Sequence, residues 1–274
     1  MNRLFARFEK IREWFERYVG AFDLSVPMIQ MKYTHSRDVM KVGETLTRAL
    51  EWPSDAAEVG VSACLLHDTG RFSQYRDFGT YYDGASVDHG ERGFEVLLSD
   101  FPSEAADAEA REVLLQAVRW HNKKNLPKLT PEVMPFCRLV RDADKLDVFY
   151  LVRRRMDEGT VGDLLPRHKI DAPLSETLLH EVEEHWSGTY KNASSLLDFT
   201  LIQLTWALDI NFTPSLQMLE DSGMLTRMRS QFPKEPRIQA LLERLFVRVA
   251  DHKRALVSRN EQPAFGRAST APSV

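Results

Sequence analysis

The chain has 274 residues, 43% of them hydrophobic and 28% charged, with a formal net charge of −4 at pH 7. This is enough apolar material for a sizeable core, and the slightly acidic balance argues against strong nonspecific binding to nucleic acid. The two cysteines, Cys64 and Cys137, lie among apolar residues, so we expect buried thiols in a cytoplasmic protein. The sequence has no apolar run of membrane-spanning length and no secretory signal pattern, so no membrane association is expected.

Apolar residues recur at spacings of three and four along most of the chain, which predicts an all-α fold. The first amphipathic helix is predicted over residues 4–19 and is expected to pack on the core. Thr34 is predicted to cap a second helix that runs to about Leu50. Ser54 is predicted to cap the stretch "DAAEVGVSACLLHD", which is apolar on nearly all sides and indicates a central buried helix ended by Gly70.

Residues 71–87 are rich in glycine and aromatic side chains and predict a loop that covers a pocket. Asp88 and Glu91 have the spacing of a capping box and predict a helix through Leu98. No alternation typical of strands and no internal repeat is found. The remaining helical patterns cover residues 103–121, residues 131–156 and the stretches "SETLLHEVEEHW", "SSLLDFTLIQLTWALDI", "PSLQMLEDSGMLTRMRSQF" and "PRIQALLERLFVRVADHKRAL".

Polar side chains occur on the apolar faces of these helices, where burial without a partner is costly. His35 lies four residues before Val39 and therefore shares the inward stripe of its helix. His67 and Asp68 are adjacent at the end of the central buried helix. Their position raises the question of what they bind.

Two further segments supply inward polar residues. His121 follows Val118 and other apolar residues on one face, and is expected to end its helix pointing inward. In "PFCRLVRDADKLDVFYLV", Asp144 continues the apolar face of Val140, whereas Asp142 aligns with charged residues on the polar side. Asp144 is therefore the predicted inward aspartate.

A divalent cation would satisfy all of the buried polar groups together. Imidazole nitrogen and carboxylate oxygen, without thiolate, suit Mn, Fe, Co, Ni, Mg or Zn, and such an ion lowers the pKa of bound water from about 15.7 to roughly 7. The predicted metal ligands are His35, His67, Asp68 and Asp144. Each also has a simpler interpretation: the histidines as hydrogen-bonded core residues, Asp68 as a helix cap and Asp144 as an ion-pair partner.

The order of His35, the "HD" dipeptide at 67–68 and Asp144 resembles the HD-domain superfamily of metal-dependent phosphohydrolases. The resemblance is most specific in "HDTGRF" and "RDADKLD" and extends over residues 32–155. It implies a helical bundle in which these four residues bind a divalent metal. It also implies accessory roles for His89 and His121, which bind a second metal in some branches of the family and phosphate in others.

The resemblance implies hydrolysis of a phosphate ester or anhydride, most simply of a nucleotide or another small phosphorylated metabolite. In this hypothesis Asp68 orients or deprotonates water, Arg71 neutralises phosphate charge, and His89 or His121 protonates the leaving group. Arg71 stands where the family often has lysine. The alternatives are a di-iron oxygenase with the same six ligands, a nonhydrolysing nucleotide sensor, and a helical scaffold. The oligomeric state is left open.

The chain is predicted to comprise four segments. Residues 1–24 form an N-terminal helix that packs on the core, and residues 25–157 form the catalytic core. Residues 158–257 form a C-terminal helical extension that matches no known family motif. Residues 258–274, with small residues and prolines, are expected to form a disordered tail.

Overall fold

The structure is a computed structural model that describes residues 4–161 and 169–259. Within these ranges it contains helices and two isolated β-bridges but no strand, so the predicted all-α class is confirmed. No helix in this part of the chain combines the length and apolar character needed to cross a membrane. The α-helices are α1 (Phe8–Val19), α2 (Pro27–Ala49), α3 (Ser54–Leu66), α4 (Thr69–Phe78), α5 (His89–Asp100), α6 (Ala108–Trp120), α7 (Met134–Asp157), α8 (Glu176–His185), α9 (Leu196–Trp206), α10 (Thr213–Asp221), α11 (Met224–Arg229) and α12 (Pro236–Arg259).

The chain divides into two compact units, and the division falls within α7, between Asp144 and Lys145. The predicted segments 1–24, 25–157 and 158–257 remain predictions about domain organisation. Of the predicted tail, the residues from 260 onward lie outside the described part of the chain.

The centre of the first unit is α3, as its sequence predicts. Every residue from Val59 to Leu66 is buried, and α3 packs against α1, α2 and α6. Helix α7 approaches α3 at Gly60, where an added Cβ would lie 2.6 Å from the side chain of Leu139. The end of α3 is thereby fixed among several helices, and His67 follows directly.

Four sequence predictions about helices α2 to α4 are wrong. The predicted cap Ser54 is instead the first residue of α3, which has no side-chain cap. Helix α2 begins at Pro27, whose ring suits the first helical turn, and Thr34 lies inside the helix, where its hydroxyl donates to the carbonyl of Gln30. Residues 71–87 are not a continuous loop, because α4 extends to Phe78. Gly70 does not end α3 but is the second residue of α4.

Gly70 is required by the close approach of α4 and α5. An added Cβ would lie 2.2 Å from the carbonyl oxygen of His89 and 2.5 Å from the backbone nitrogen of Gly93. A larger residue would therefore push α5 away from α4. The glycine brings the start of α5, with His89, next to the end of α3.

The second unit is built from the later helices, each with a buried apolar face. Asp198 at the start of α9 accepts a hydrogen bond from the backbone N–H of Ser175, the residue that caps α8. The stretch "PSLQMLEDSGMLTRMRSQF" forms two helices because Gly223 adopts a left-handed conformation, with φ of 67°, between α10 and α11. The other C-terminal helical patterns are found as predicted.

Candidate metal centre

The predicted site residues come together in the first unit from five helices and the junctions between them. Asp68 lies at the junction of α3 and α4, and it faces side chains from α2, α5, α6 and α7. The residues are His35 in α2, His67 and Asp68 between α3 and α4, Arg71 in α4, His89 at the start of α5, His121 at the end of α6 and Asp144 in α7.

The first ligand group comprises His35, His67, Asp144 and the Oδ2 atom of Asp68. The Nε2 atoms of His35 and His67 are 3.3 Å apart, and Asp144 Oδ1 lies 3.0 Å from the former and 3.7 Å from the latter. Asp68 Oδ2 lies 3.6 Å from His35 Nε2 and 3.5 Å from His67 Nε2. Four donor atoms thus surround one small space.

The second ligand group comprises His89, His121 and the Oδ1 atom of Asp68. The two Nε2 atoms are 3.1 Å apart. Asp68 Oδ1 lies 3.6 Å from the Nε2 atom of His89 and 3.5 Å from the Nε2 atom of His121. The two oxygens of one carboxylate therefore face two separate groups of imidazoles.

Asp68 does not serve as a helix cap, although it occupies the N-cap position of α4. An N-cap aspartate ordinarily accepts a hydrogen bond from the second or third backbone N–H of its helix, but the Asp68 side chain makes no such bond. The carboxylate is almost fully buried and is directed at the histidines instead. The simpler interpretation of Asp68 as a cap is thus excluded.

Backbone carbonyls set the tautomers of two of the histidines. His67 Nδ1 lies 2.8 Å from the carbonyl oxygen of Cys64, and His121 Nδ1 lies 2.7 Å from that of Val118. A carbonyl can only accept, so each Nδ1 carries the proton and donates it. When the Nδ1 proton is the only one on the ring, the Nε2 lone pair points into the site, as a metal ligand requires.

The protonation states of the buried groups also suit a cation. Burial lowers the pKa of His67 to about 4, so its ring is neutral at pH 7. Burial alone would raise the pKa of Asp144, but the hydrogen bond with His35 is the main cause that lowers it overall. Neutral imidazoles and ionised carboxylates thus share the site.

These residues fit a divalent metal ion. Ligands held about 2.0–2.2 Å from one ion lie about 3.0–3.5 Å from each other, which matches most of the spacings in both groups. Donor atoms of His35, His67 and Asp144 all lie within 4.8 Å of one another. The same holds for donor atoms of His67, Asp68 and His121. The chemistry of the donors, nitrogen and oxygen without thiolate, suits the ions predicted from the sequence.

Asp83 supports the second group and is missed by the sequence analysis. Its Oδ2 accepts from His89 Nδ1 at 2.6 Å, while its Oδ1 accepts from Arg71 Nη1 and Gln74 Nε2, both at 2.8 Å. Burial, together with the charge of Arg71, lowers the pKa of His89 to about 3. The carboxylate fixes the His89 ring with Nε2 toward Asp68. Asp83 follows α4 in an irregular segment, so no helical face could have indicated it.

Two cations in the first unit are also missed by the sequence analysis. Arg141 in α7 is buried and donates from Nη1 to the carbonyl oxygens of His121, at 3.2 Å, and Lys123, which holds the end of α6 in place. Lys32 in α2 lies one helical turn before His35, and its Nζ is 2.7 Å from Asp68 Oδ2. The sequence signal for Lys32 is its place on the inward side of α2.

The prediction that Asp142 lies on the polar side of α7 is wrong. Asp142 is fully buried, whereas the Asp144 side chain is 27% exposed. All residues of α7 from Leu139 to Ala143 are buried, so this part of the helix has no polar side that faces solvent. Asp144 nevertheless meets His35, as its place in "DADKLD" implies.

Comparison with known proteins gives one match. Residues 33–148 match the family model described as HD domain. No curated protein and no solved structure matches the chain. The matched range contains all the residues of both ligand groups, in the order that the resemblance implies. Residues 33–148 of the chain are therefore an HD domain, the domain that the resemblance implies.

Proposed function

We propose that this protein is a metal-dependent hydrolase that cleaves a phosphate ester or anhydride, with a nucleotide or another small phosphorylated metabolite as its substrate. The observation that carries the proposal is the position of Asp68. Its two oxygens face two separate groups of imidazole nitrogens, at 3.5–3.6 Å. A buried carboxylate between imidazole nitrogens, paired with one lysine ammonium, has further capacity to bind cations.

The first group, His35, His67, Asp68 and Asp144, would hold a divalent ion. His89, His121 and the other oxygen of Asp68 would hold a second. Bound there, such ions supply Lewis-acid stabilisation of a phosphoryl group and water that ionises near neutral pH. The residues of the chain fix the ligands, since His67 and His121 are anchored by backbone carbonyls and His89 by Asp83.

Arg71 supplies positive charge for the phosphate. Its Nη1 is held by Asp83, Gln74 and the carbonyl oxygen of Tyr81, which fixes the plane of the guanidinium. Its Nε lies 3.6 Å from Asp68 Oδ1 and has no hydrogen-bond partner among the described residues. An anchored guanidinium beside the ligands can stabilise phosphate oxygens without losing side-chain entropy.

The leaving group requires a proton donor, and His89 and His121 are the candidates. The Nδ1 of each ring is already bonded, to Asp83 and to the carbonyl of Val118 respectively. Only Nε2 is left for chemistry, so each ring either ligates a second ion or donates a proton through this atom. The number of metal ions per chain therefore decides between these roles.

One aromatic side chain suits a nucleobase. Tyr82 precedes Asp83 directly and is 46% exposed, so its ring can stack on a planar base. This supports nucleotides as the first substrates to test.

The second candidate function is that of a di-iron oxygenase. Its support is the six-ligand arrangement itself, because His89 and His121 complete a second group around the shared carboxylate. Iron content and optical or Mössbauer spectra of the purified protein distinguish the two functions. Iron bound at about two ions per chain, without phosphate release on any substrate, would favour the oxygenase.

The test begins with metal analysis of the purified protein, followed by a phosphate-release screen. The screen covers nucleotides, sugar phosphates and artificial esters with Mn, Co, Ni, Mg and Zn. We expect Asp68→Ala to abolish turnover while the helical spectrum is retained. Asp38→Ala is the matched control, because Asp38 pairs with Lys41 on the outer side of α2. An Asp68→Ala variant as active as the wild type would refute the proposal.

A further inference from the structure

Lys32 lies at the mouth of the first ligand group. Its Nζ is 2.7 Å from Asp68 Oδ2, and its side chain is 16% exposed. The ammonium also lies 5.7 Å from the centre of the Tyr81 ring, and the Tyr81 hydroxyl donates to the carbonyl oxygen of Met28 at 2.9 Å. The lysine is thus held between a buried carboxylate and a fixed aromatic face.

Lys32 and a divalent ion require the same oxygen atom. Asp68 Oδ2 is the atom that faces the Nε2 atoms of His35 and His67, and it is also the atom that Lys32 contacts. Two cations that share one carboxylate oxygen repel each other strongly in a buried site. The long, flexible side chain of Lys32 allows its ammonium to move away from Asp68, whereas a bound metal ion must stay at the atoms that hold it.

The Tyr81 ring determines where the released ammonium remains. Arg71 lies on the same ring, with its guanidinium carbon 5.6 Å from the centre, and its charge is balanced by Asp83. Lys32 Nζ and Arg71 Nε thus lie next to different oxygens of Asp68, at 2.7 Å and 3.6 Å. Cation–π attraction keeps an ammonium near the ring after its ion pair is broken.

We propose that Lys32 is exchanged for the divalent ion at Asp68 and that the released ammonium then binds the phosphate of the substrate together with Arg71. The second half of this inference rests on the proposed function, whereas the first half concerns metal binding alone.

The charges explain why such an exchange suits a phosphate site. Asp68 and Asp144 together carry two negative charges, which Lys32 reduces to a net of about −1. One divalent ion changes the net charge to about +1, because Lys32 remains nearby. A site that becomes positive only after metal loading attracts a phosphate dianion at that stage.

Metal affinity tests the exchange directly. Lys32→Met removes the ammonium and keeps an unbranched stem, and Lys41→Met is the matched control on the outer side of the same helix. Titration of the metal-free protein with Mn²⁺ by calorimetry should give a Kd about tenfold tighter for Lys32→Met than for the wild type. Lys41→Met should leave it unchanged. An unchanged or weaker Mn²⁺ affinity in Lys32→Met would overturn the exchange.

Phosphate affinity tests the second half. In the Mn²⁺-loaded protein, inorganic phosphate should bind about tenfold more weakly to Lys32→Met than to the wild type, and Lys32→Arg should restore most of the loss. An equal phosphate Kd in the wild type and Lys32→Met would overturn the role of Lys32 in binding. Lys32→Gln, with a shorter polar side chain, replaces Lys32→Met if the latter fails to fold, as judged by circular dichroism.

The two proposals fail in different ways. A wild-type protein that releases phosphate from no substrate, while Lys32→Met still binds Mn²⁺ more tightly, would refute hydrolysis and leave the exchange intact. If hydrolysis is found, substrate KM should rise in Lys32→Met more than kcat falls, since binding of the phosphate is the step affected.

Discussion

Two buried aspartates, one in each unit, are stabilised by different kinds of partner. Asp198, at the start of α9, accepts hydrogen bonds from the backbone N–H groups of Ser175, Ser194 and Ser195 at 2.7–3.0 Å. Its own N–H donates to the Ser195 hydroxyl, which completes a capping box. Its oxygens are occupied by donors that belong to the local fold.

Asp68 is surrounded by side chains from distant parts of the sequence. Lys32 precedes it by 36 residues, and His121 follows it by more than 50. The contacts to the imidazoles are 3.5–3.6 Å, too long for good hydrogen bonds. The comparison shows how a structural carboxylate differs from a proposed ligand: the first accepts from backbone N–H groups, and the second faces imidazole nitrogens at distances that suit a shared cation.

The largest expected effect that separates the two residues is on stability. Asp198→Ala leaves three backbone N–H groups without their acceptor, that of buried Ser195 among them, so we expect the free energy of unfolding to fall by about 3 kcal/mol. Metal content per folded molecule should not change. Urea unfolding and metal analysis of the folded fraction measure both quantities.

Ser194→Ala provides the control for Asp198, because it removes only the hydroxyl that donates to Asp198 at 3.1 Å. Its effect on unfolding should be about 1 kcal/mol or less. An Asp198→Ala protein that keeps its stability but loses bound metal would contradict the division between structural and ligand carboxylates.

A smaller effect is expected from the carboxylate behind the second ligand group. Asp83→Asn weakens the bond that orients the His89 ring, so the affinity of the second group for metal should fall about 10- to 100-fold. The first group should retain its affinity, because the contacts between Asp83 and the ligands involve His89 alone. Stepwise Mn²⁺ titration distinguishes the two sites.

Asp77→Asn is the matched control for Asp83. Asp77 lies in the same helix-and-turn region but pairs with Arg76 and Arg92, away from the ligands. It should leave both binding steps unchanged. If Asp83→Asn lowers the metal affinity of both groups equally, the two groups act as one unit. The two oxygens of Asp68 then do not define separate metal sites.

The convergence of the proposed ligands could be predicted because most of them lie on helices with clear apolar stripes. His35 and His121 each share a face with buried aliphatic residues, and the adjacent pair at 67–68 follows an unusually apolar helix. The choice of Asp144 over Asp142 agrees with the structure at His35, but the reason from the helix face was wrong, because α7 has no polar side in that region.

The supporting residues could not be predicted from the same patterns. Asp83 lies in a short 3-10 turn after α4, and its partner is known only once α5 is placed beside α4 through Gly70. Lys32 shares the inward side of α2 with His35, but its charge alone predicts a side chain in solvent. The contacts that complete the site are long-range, and local periodicity contains no information on them.

Acid should destabilise the metal-free protein through the region around Asp68, an effect that is the smallest of the three at pH 7 and grows as the pH falls. The pKa of His67 is lowered by burial to about 4, and that of His89 to about 3, whereas both are near 6.5 in an unfolded chain. Unfolding therefore takes up protons below pH 6.5. Stability is full above this pH and falls toward pH 4, by about 1.4 kcal/mol per pH unit for each histidine.

Thermal unfolding between pH 8 and 5 measures the dependence of stability on pH. His89→Gln should reduce the number of protons taken up on unfolding by about one. His180→Gln changes an exposed residue of α8 and should leave the pH dependence of stability as it is in the wild type. If His89→Gln and His180→Gln show the same pH dependence, acid acts elsewhere than on the site around Asp68.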